Sequence, residues 1–340
     1  MKPPDWPRRK SDLKKARAGG ALGRRVAAAN TFGIGRVLLQ LYGRCFDGYH
    51  RYRAHWCNAP ARRAYRAHAG PLDAAQRTLV DQLRGVGLAK TMLSALLPDV
   101  DWTKLQAVAN GWLATPEVRE SERAYRAAME GHGEHGSKDY FIRLLGVRDE
   151  AVLEVDSPWL SLFLHERLLA VVNGYLGVFS KLNAVDVWST VPLVHDRDDS
   201  GSQRWHRDPE DRRLVKVFLY LNEVGPGSGA LEYVAHSRPG DRYGRLWPQE
   251  FPIGSRPPRD ELERLIDPRD RIECRGPAGT LLFVDTCGFH RGGRATTGRR
   301  VLATSTHVTP ASIWPRRFQV SGDIGSVAGT EAQRRAVSLP

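Results

Sequence analysis

The chain changes texture at Gly177. Upstream, apolar residues recur at helical spacing. Leu72, Ala75, Leu79, Leu83 and Val86 predict an amphipathic helix, and similar patterns cover 102–113 and 117–130. Thr115-Pro116 opens the last of these as a cap followed by a first-turn proline, and Ser157-Pro158 opens a further helix over 158–176. Downstream, short β-rich runs at 183–191, 203–207, 213–222, 230–235, 280–285 and 299–308 alternate with turn-rich segments such as 225–229 and 276–279. A helical half followed by many short strands leaves few architectures open. It predicts an α+β fold, with an N-terminal helical layer packed on a β-sandwich or barrel.

This reading places a single catalytic domain at 71–320, mainly helical over 71–178 and β over 179–310. Residues 238–271 interrupt the strands with prolines and arginines around a brief helical pattern at 260–265. An insertion of that length is expected to cover a pocket mouth, and there Arg242, Arg245, Arg256 and Arg259 would meet an anionic group of a substrate. Residues 321–340 read as a polar tail, and 1–70 as a basic arm with a helical segment.

Charge is unevenly placed. Residues 1–70 hold 16 Lys and Arg against 3 Asp and Glu, so the whole net charge of +13 lies there and the remaining residues carry 35 of each sign. Such a block suits a solvated arm, or contact with an anionic partner such as nucleic acid through the interleaved Tyr42, Tyr49, Tyr52, Trp56 and Tyr65. The solvated arm is the preferred reading, and nucleic acid is not the expected partner. No apolar run reaches the ~20 residues of a membrane span. The basic N-terminus lacks the apolar stretch of a secretory signal. Cys45, Cys57, Cys274 and Cys287 form no CxxC, which fits reduced thiols in a cytoplasmic protein.

The sharpest chemical signal is Trp205-His206-Arg207-Asp208-Pro209. Alternate residues of an extended segment share a face, so His206 and Asp208 can bind one metal while Arg207 points away. A second element, the apolar run 279–285, is followed by His290, and Arg300 opens the run 300–306. Two imidazoles and a carboxylate on one face of an iron ion leave three positions open, two for a 2-oxo acid and one for dioxygen. The far carboxylate of 2-oxoglutarate needs a fixed cation, and a guanidinium offers a planar two-point fork.

Residues 203–237 and 279–307 resemble the phytanoyl-CoA hydroxylase (phytanoyl-CoA dioxygenase) family of iron(II)- and 2-oxoglutarate-dependent oxygenases. The resemblance rests on Trp205–Asp208, on 215–222 with 229–234, and on 279–285 with His290 and Gly298-Arg299-Arg300. It implies a double-stranded β-helix, or jelly roll, with the metal at its open end. It also implies His206, Asp208 and His290 as iron ligands, Arg300 as the 2-oxoglutarate clamp with adjacent Arg299 as the alternative, and Phe218 lining the metal pocket. The family's usual Pro-Gly-Ser-His stretch reads Ala235-His236-Ser237-Arg238 here, and Gly292 stands where a hydroxyl residue often helps hold 2-oxoglutarate. Related iron halogenases replace the ligand carboxylate by a small residue, so Asp208 favours oxygen chemistry.

Trp188, Thr190, Tyr220 and Trp247 are the candidate substrate contacts, and Lys216 shares the strand face of Phe218 and Tyr220. His132 and His135, in a glycine-rich turn, are not expected to bind metal, and His307 is read as structural. The expected function is oxidation, as hydroxylation, of a small organic molecule in secondary metabolism, with release of succinate and carbon dioxide. The competing readings are a cupin-like metal enzyme that does not use 2-oxoglutarate, and a binding protein acting through the basic N-terminus.

Overall fold

The computed structural model describes residues 48–49, 51–130, 141–145, 151–192, 201–249 and 254–338. The chain divides into two compact units, 1–53 and 54–340, and the second holds every candidate site residue. His132 and His135 lie outside the described residues.

Helix α1 (Asn58–His68) is followed by α2 (Ala74–Val86), which starts on a capping box between Asp73 and Gln76 and stops at Gly87, where φ is +90°. Leu79, Val80 and Leu83 turn inward from α2. Next come α3 (Leu93–Leu96), α4 (Trp102–Leu113) and α5 (Pro116–Glu130). The single helix expected over 158–176 is two, α6 (Pro158–Phe163) and α7 (Glu166–Leu176). His165 causes the break. Its backbone is extended and its ring accepts from Arg167 N as the cap of α7, while Nε2 reaches Asp99 at 3.0 Å. A short α8 (Glu261–Leu265) lies in the insertion. The expected polar tail ends in α9 (Glu331–Val337), whose Ala336 and Val337 join the main core. A capping box between Thr330 and Gln333 nucleates that helix, and its apolar face makes it part of the fold.

Eleven strands appear among the described residues: β1 (Leu88–Met92), β2 (Phe141–Arg143), β3 (Ala151–Glu154), β4 (Lys181–Thr190), β5 (Leu214–Tyr220), β6 (Leu231–Val234), β7 (Arg271–Cys274), β8 (Thr280–Val284), β9 (His290–Gly292), β10 (Val301–Val308) and β11 (Phe318–Ser321). A six-stranded antiparallel sheet has the order β1-β8-β5-β10-β4-β2, and a three-stranded antiparallel sheet the order β7-β6-β9. Strands β11 and β3 form a parallel pair. The expected strand at 203–207 is not formed. A 3-10 turn covers Gly201–Gln203, then His206 bridges to His290 and Arg207 to Ser255. Because successive residues pair with different neighbours, the segment is extended without joining a ladder.

Alternation along the strands divides the large sheet into two faces. Val185, Val187, Val217, Leu219, Leu281, Phe283, Val301 and Ala303 pack with α2, α6 and α7 in the main core. Phe218, Tyr220, Leu282, Val284 and Leu302 face the small sheet and meet Leu231 and Tyr233 there. Ser305 and His307 share the opposite side of β10 and bond to each other at 3.0 Å, so His307 turns away from the inter-sheet space. Among the described residues no helix is long and apolar enough to cross a membrane, and Cys57, Cys274 and Cys287 are free thiols.

Candidate metal centre

Two distant segments are zipped together at the site. His206 N donates to His290 O and His290 N to His206 O, each at 3.0 Å, while Asp208 N donates to Thr286 O at 2.9 Å. His290 begins β9, where it also pairs with Tyr233 of β6. The imidazole centroids lie 4.2 Å apart, and one ligand atom from each of His206, Asp208 and His290 lies within 4.8 Å of the others. His206 Nε2 is 3.9 Å from Asp208 Oδ1, and His290 Nε2 is 3.2 Å from Oδ2. Ligands about 2.1 Å from one ion in adjacent positions stand ~3 Å apart, close to the second of these spacings. Both Nδ1 atoms face backbone carbonyls, Arg204 O at 2.8 Å and Gly288 O at 3.1 Å. A carbonyl can only accept, so each Nδ1 carries the proton and each Nε2 lone pair is left for a metal. Two imidazoles and a carboxylate suit a divalent first-row ion such as iron.

The electrostatics match that donor set. Burial, with His290 close by, pushes the His206 imidazole well below its ordinary pKa and keeps it neutral. Burial opposes ionisation of Asp208, yet the Lys216 ammonium and His290 hold its carboxyl well below the usual carboxylate range. Lys216 Nζ lies 2.5 Å from Asp208 Oδ2, and its side chain is 12% exposed. Sequence reasoning placed Lys216 on the right face but assigned it no role.

The two adjacent arginines part company. Arg299 leans outward to Glu122 at 2.8 Å. Arg300 is buried, with its guanidinium 5.1 Å from the Trp188 ring centre. It comes so close to β9 that a Cβ on Gly292 would lie 3.1 Å from Nη2, and in this chain the absent side chain at 292 leaves room for the guanidinium. Phe218, between Lys216 and Tyr220, lies on the inter-sheet face beside Thr304 and Leu282. Tyr220 is fully buried and donates to Cys274 O at 2.7 Å; burial pushes its phenol well above the ordinary value, opposed in part by the nearby Arg300. Thr190 Oγ1 accepts from Arg300 N at 2.8 Å, so its hydroxyl fixes the arginine's backbone. The Trp188 ring packs on Phe141 with centroids 4.2 Å apart.

Trp247 is not brought to this group. It packs with Trp205, Val234, Tyr243, Leu262, Ile266 and Phe289, whose chain neighbours His206, Tyr233 and His290 face the other way. What gathers the insertion here is Arg207. This guanidinium is 1% exposed and donates to the carbonyls of Cys287 (2.7 Å), Leu246 (3.1 Å), Trp247 (3.1 Å), Tyr243 (3.2 Å) and Ser237, with Phe289 stacked 3.7 Å away. Burial lowers its pKa to about 10. The described part of the insertion is thus fastened to the segment that bears two of the three candidate ligands. A buried arginine flanked by metal-binding side chains was the available signal, and strand alternation predicted only that it points away.

Arg238 ties the same region to the helical layer through the carbonyls of Leu83, Arg84 (2.9 Å) and Gly85 (3.2 Å) at the end of α2. His236 sits at φ +56°, where glycine would be unstrained.

No protein-family model and no curated protein matches this chain. Among solved structures, EctD from S. alaskensis, with 2-oxoglutarate and 5-hydroxyectoine, is similar at 17% identity and TM-score 0.47, over 74% of this chain and 86% of that one. The epimerase SnoN in complex with Fe3+, alpha ketoglutarate and nogalamycin RO is similar at 15% identity and TM-score 0.46, over 74% and 97%. The alpha ketoglutarate dependent carbocyclase SnoK from nogalamycin biosynthesis is similar at 14% identity and TM-score 0.45, over 75% and 98%.

Proposed function

We propose that this protein is an iron(II)- and 2-oxoglutarate-dependent oxygenase that hydroxylates a small organic molecule, built on a double-stranded β-helix of the phytanoyl-CoA hydroxylase kind. The observation that carries this reading is the His206–Asp208–His290 cluster, with His290 opening β9 of the small sheet, and the buried Arg300, whose guanidinium comes up against Gly292 of the same strand.

His206, Asp208 and His290 would hold the iron, and Arg300 the distal carboxylate of 2-oxoglutarate through a charge-assisted fork. When bound, the pair supplies oxidation by dioxygen coupled to decarboxylation of 2-oxoglutarate to succinate. The chain's own contribution is positioning. The carbonyls of Arg204 and Gly288 fix the imidazole tautomers, and Thr190 with the β4–β10 ladder fixes Arg300. Phe218 and Leu302 supply an apolar wall on the same face, which excludes water from the site and strengthens each ion pair inside it.

The cupin-like alternative needs the three metal ligands but has no use for a buried guanidinium across from them. Buried Arg300 favours the 2-oxoglutarate reading. Succinate formation from 2-oxoglutarate, with iron(II) and ascorbate against a panel of small organic molecules, is the test. Substrate-stimulated succinate supports the reading. A protein that binds iron yet never consumes 2-oxoglutarate overturns it.

A further inference from the structure

We propose that Lys216 is a positioning residue, holding one oxygen of Asp208 so that the carboxylate meets the metal through the other oxygen alone. The inference rests on the oxygenase reading above and adds a device that reading does not require.

Lys216 stands on the inter-sheet face of β5, where its strand neighbours Thr306 and Val284 carry no charge. Its side chain is 12% exposed, and among the described residues Asp208 is the acid it meets, at 2.5 Å. An ammonium in such surroundings is unfavourable unless paired, so the contact is a strong one. It also carries a cost for a metal site. A cation beside the only carboxylate among the three ligand residues repels an incoming divalent ion, so Lys216 is badly placed if its task is to tighten metal binding.

Its position does suit control of how the carboxylate binds. Asp208 offers two oxygens, with Oδ2 held by Lys216 at 2.5 Å and also 3.2 Å from His290 Nε2, and Oδ1 facing His206 Nε2 at 3.9 Å. A carboxylate that chelated through both would take a position which a 2-oxo acid and dioxygen need. With Oδ2 held by Lys216 and the backbone pinned to Thr286, Oδ1 is left for the ion. The competing account makes Lys216 a placeholder that balances Asp208 until a metal arrives and then moves aside.

The two accounts differ in a measurable split. Co(II) alone is titrated calorimetrically into wild type, Lys216→Met and Lys216→Arg. Then 2-oxoglutarate is titrated anaerobically into the iron(II)-loaded proteins, following the charge-transfer absorption. Lys216→Met should bind Co(II) as tightly as wild type or several-fold tighter, and 2-oxoglutarate at least ten-fold more weakly. Lys216→Arg, which keeps a donor to the same oxygen, should restore 2-oxoglutarate binding to within about three-fold. A merely structural role would weaken both ligands together. Unchanged 2-oxoglutarate affinity in Lys216→Met overturns the proposal and leaves the placeholder, whereas wild type that binds neither ligand overturns the oxygenase reading itself. Circular dichroism establishes that each variant folds. If the Met variant does not, Lys216→Gln, too short to reach Oδ2, is held to the same criteria.

Discussion

The backbones of His206 and His290 exchange two hydrogen bonds, each 3.0 Å long. That exchange sets the two imidazoles side by side before any metal arrives, so loss of one ring need not disturb the fold. His206→Ala should abolish Co(II) binding in calorimetry while leaving the far-ultraviolet circular dichroism unchanged. Asp208→Ala should also lose the metal, but at a cost to stability of about 3 kcal/mol, because it strands the Lys216 ammonium. Urea denaturation of the two variants separates these effects, and equal midpoints would contradict the Lys216 pairing.

Arg299 and Arg300 make opposite predictions. Arg300→Ala removes a buried guanidinium from the inter-sheet space and should weaken 2-oxoglutarate binding by about 2–5 kcal/mol, the scale for losing one partner of a buried charge pair. Arg299→Ala loses a partly exposed pair with Glu122, worth about 0.5 kcal/mol of stability, and should leave 2-oxoglutarate binding alone. The reverse result in anaerobic titration would move the clamp by one residue.

Arg207 donates to five carbonyls, of which Tyr243 O also accepts from Leu246 N and Trp247 O from Ser255 Oγ. Arg207→Met should cost about 3–5 kcal/mol in denaturant unfolding, since it leaves several buried acceptors unsatisfied. Arg207→Lys should recover only part, because a single ammonium cannot span that set. Proteolysis within the insertion should quicken in both variants, and an unchanged cleavage rate would show that the insertion is anchored elsewhere.

His307 sets an acid limit on stability. Burial pushes its imidazole down to about 3, against about 6.5 in an unfolded chain. Between those values the unfolded state binds the proton and the folded state does not. This contribution to stability is therefore intact above pH ~6.5 and lost as pH falls towards 3, at up to about 1.4 kcal/mol per pH unit. His307→Gln should flatten the slope over that window, read as the difference from wild type in urea midpoints. An identical pH profile would mean that the ring is protonated or exposed in the folded protein.

Much of this molecule follows from local sequence. The Asp73–Gln76 capping box and Gly87 delimit α2, and the alternation of apolar residues in 214–220 and 301–308 marks two central strands, because such signals act within a few residues. The histidines, the aspartate and Arg300 could be singled out for the same reason, as residue types at a recognisable spacing. Tertiary structure decided the rest. A helix pattern over 158–176 could not reveal that His165 would cap a new helix and reach Asp99, and the run at 203–207 could not reveal that its two neighbours lie on different segments. The anchoring role of Arg207 is likewise invisible locally, because a side chain's partners across an insertion leave no mark on its local pattern. Lys216 shows the limit most plainly. Strand alternation gives its face, but only the folding of the 206–208 segment against β5 sets its ammonium on Asp208, since that contact is made by elements whose pairing no local propensity encodes.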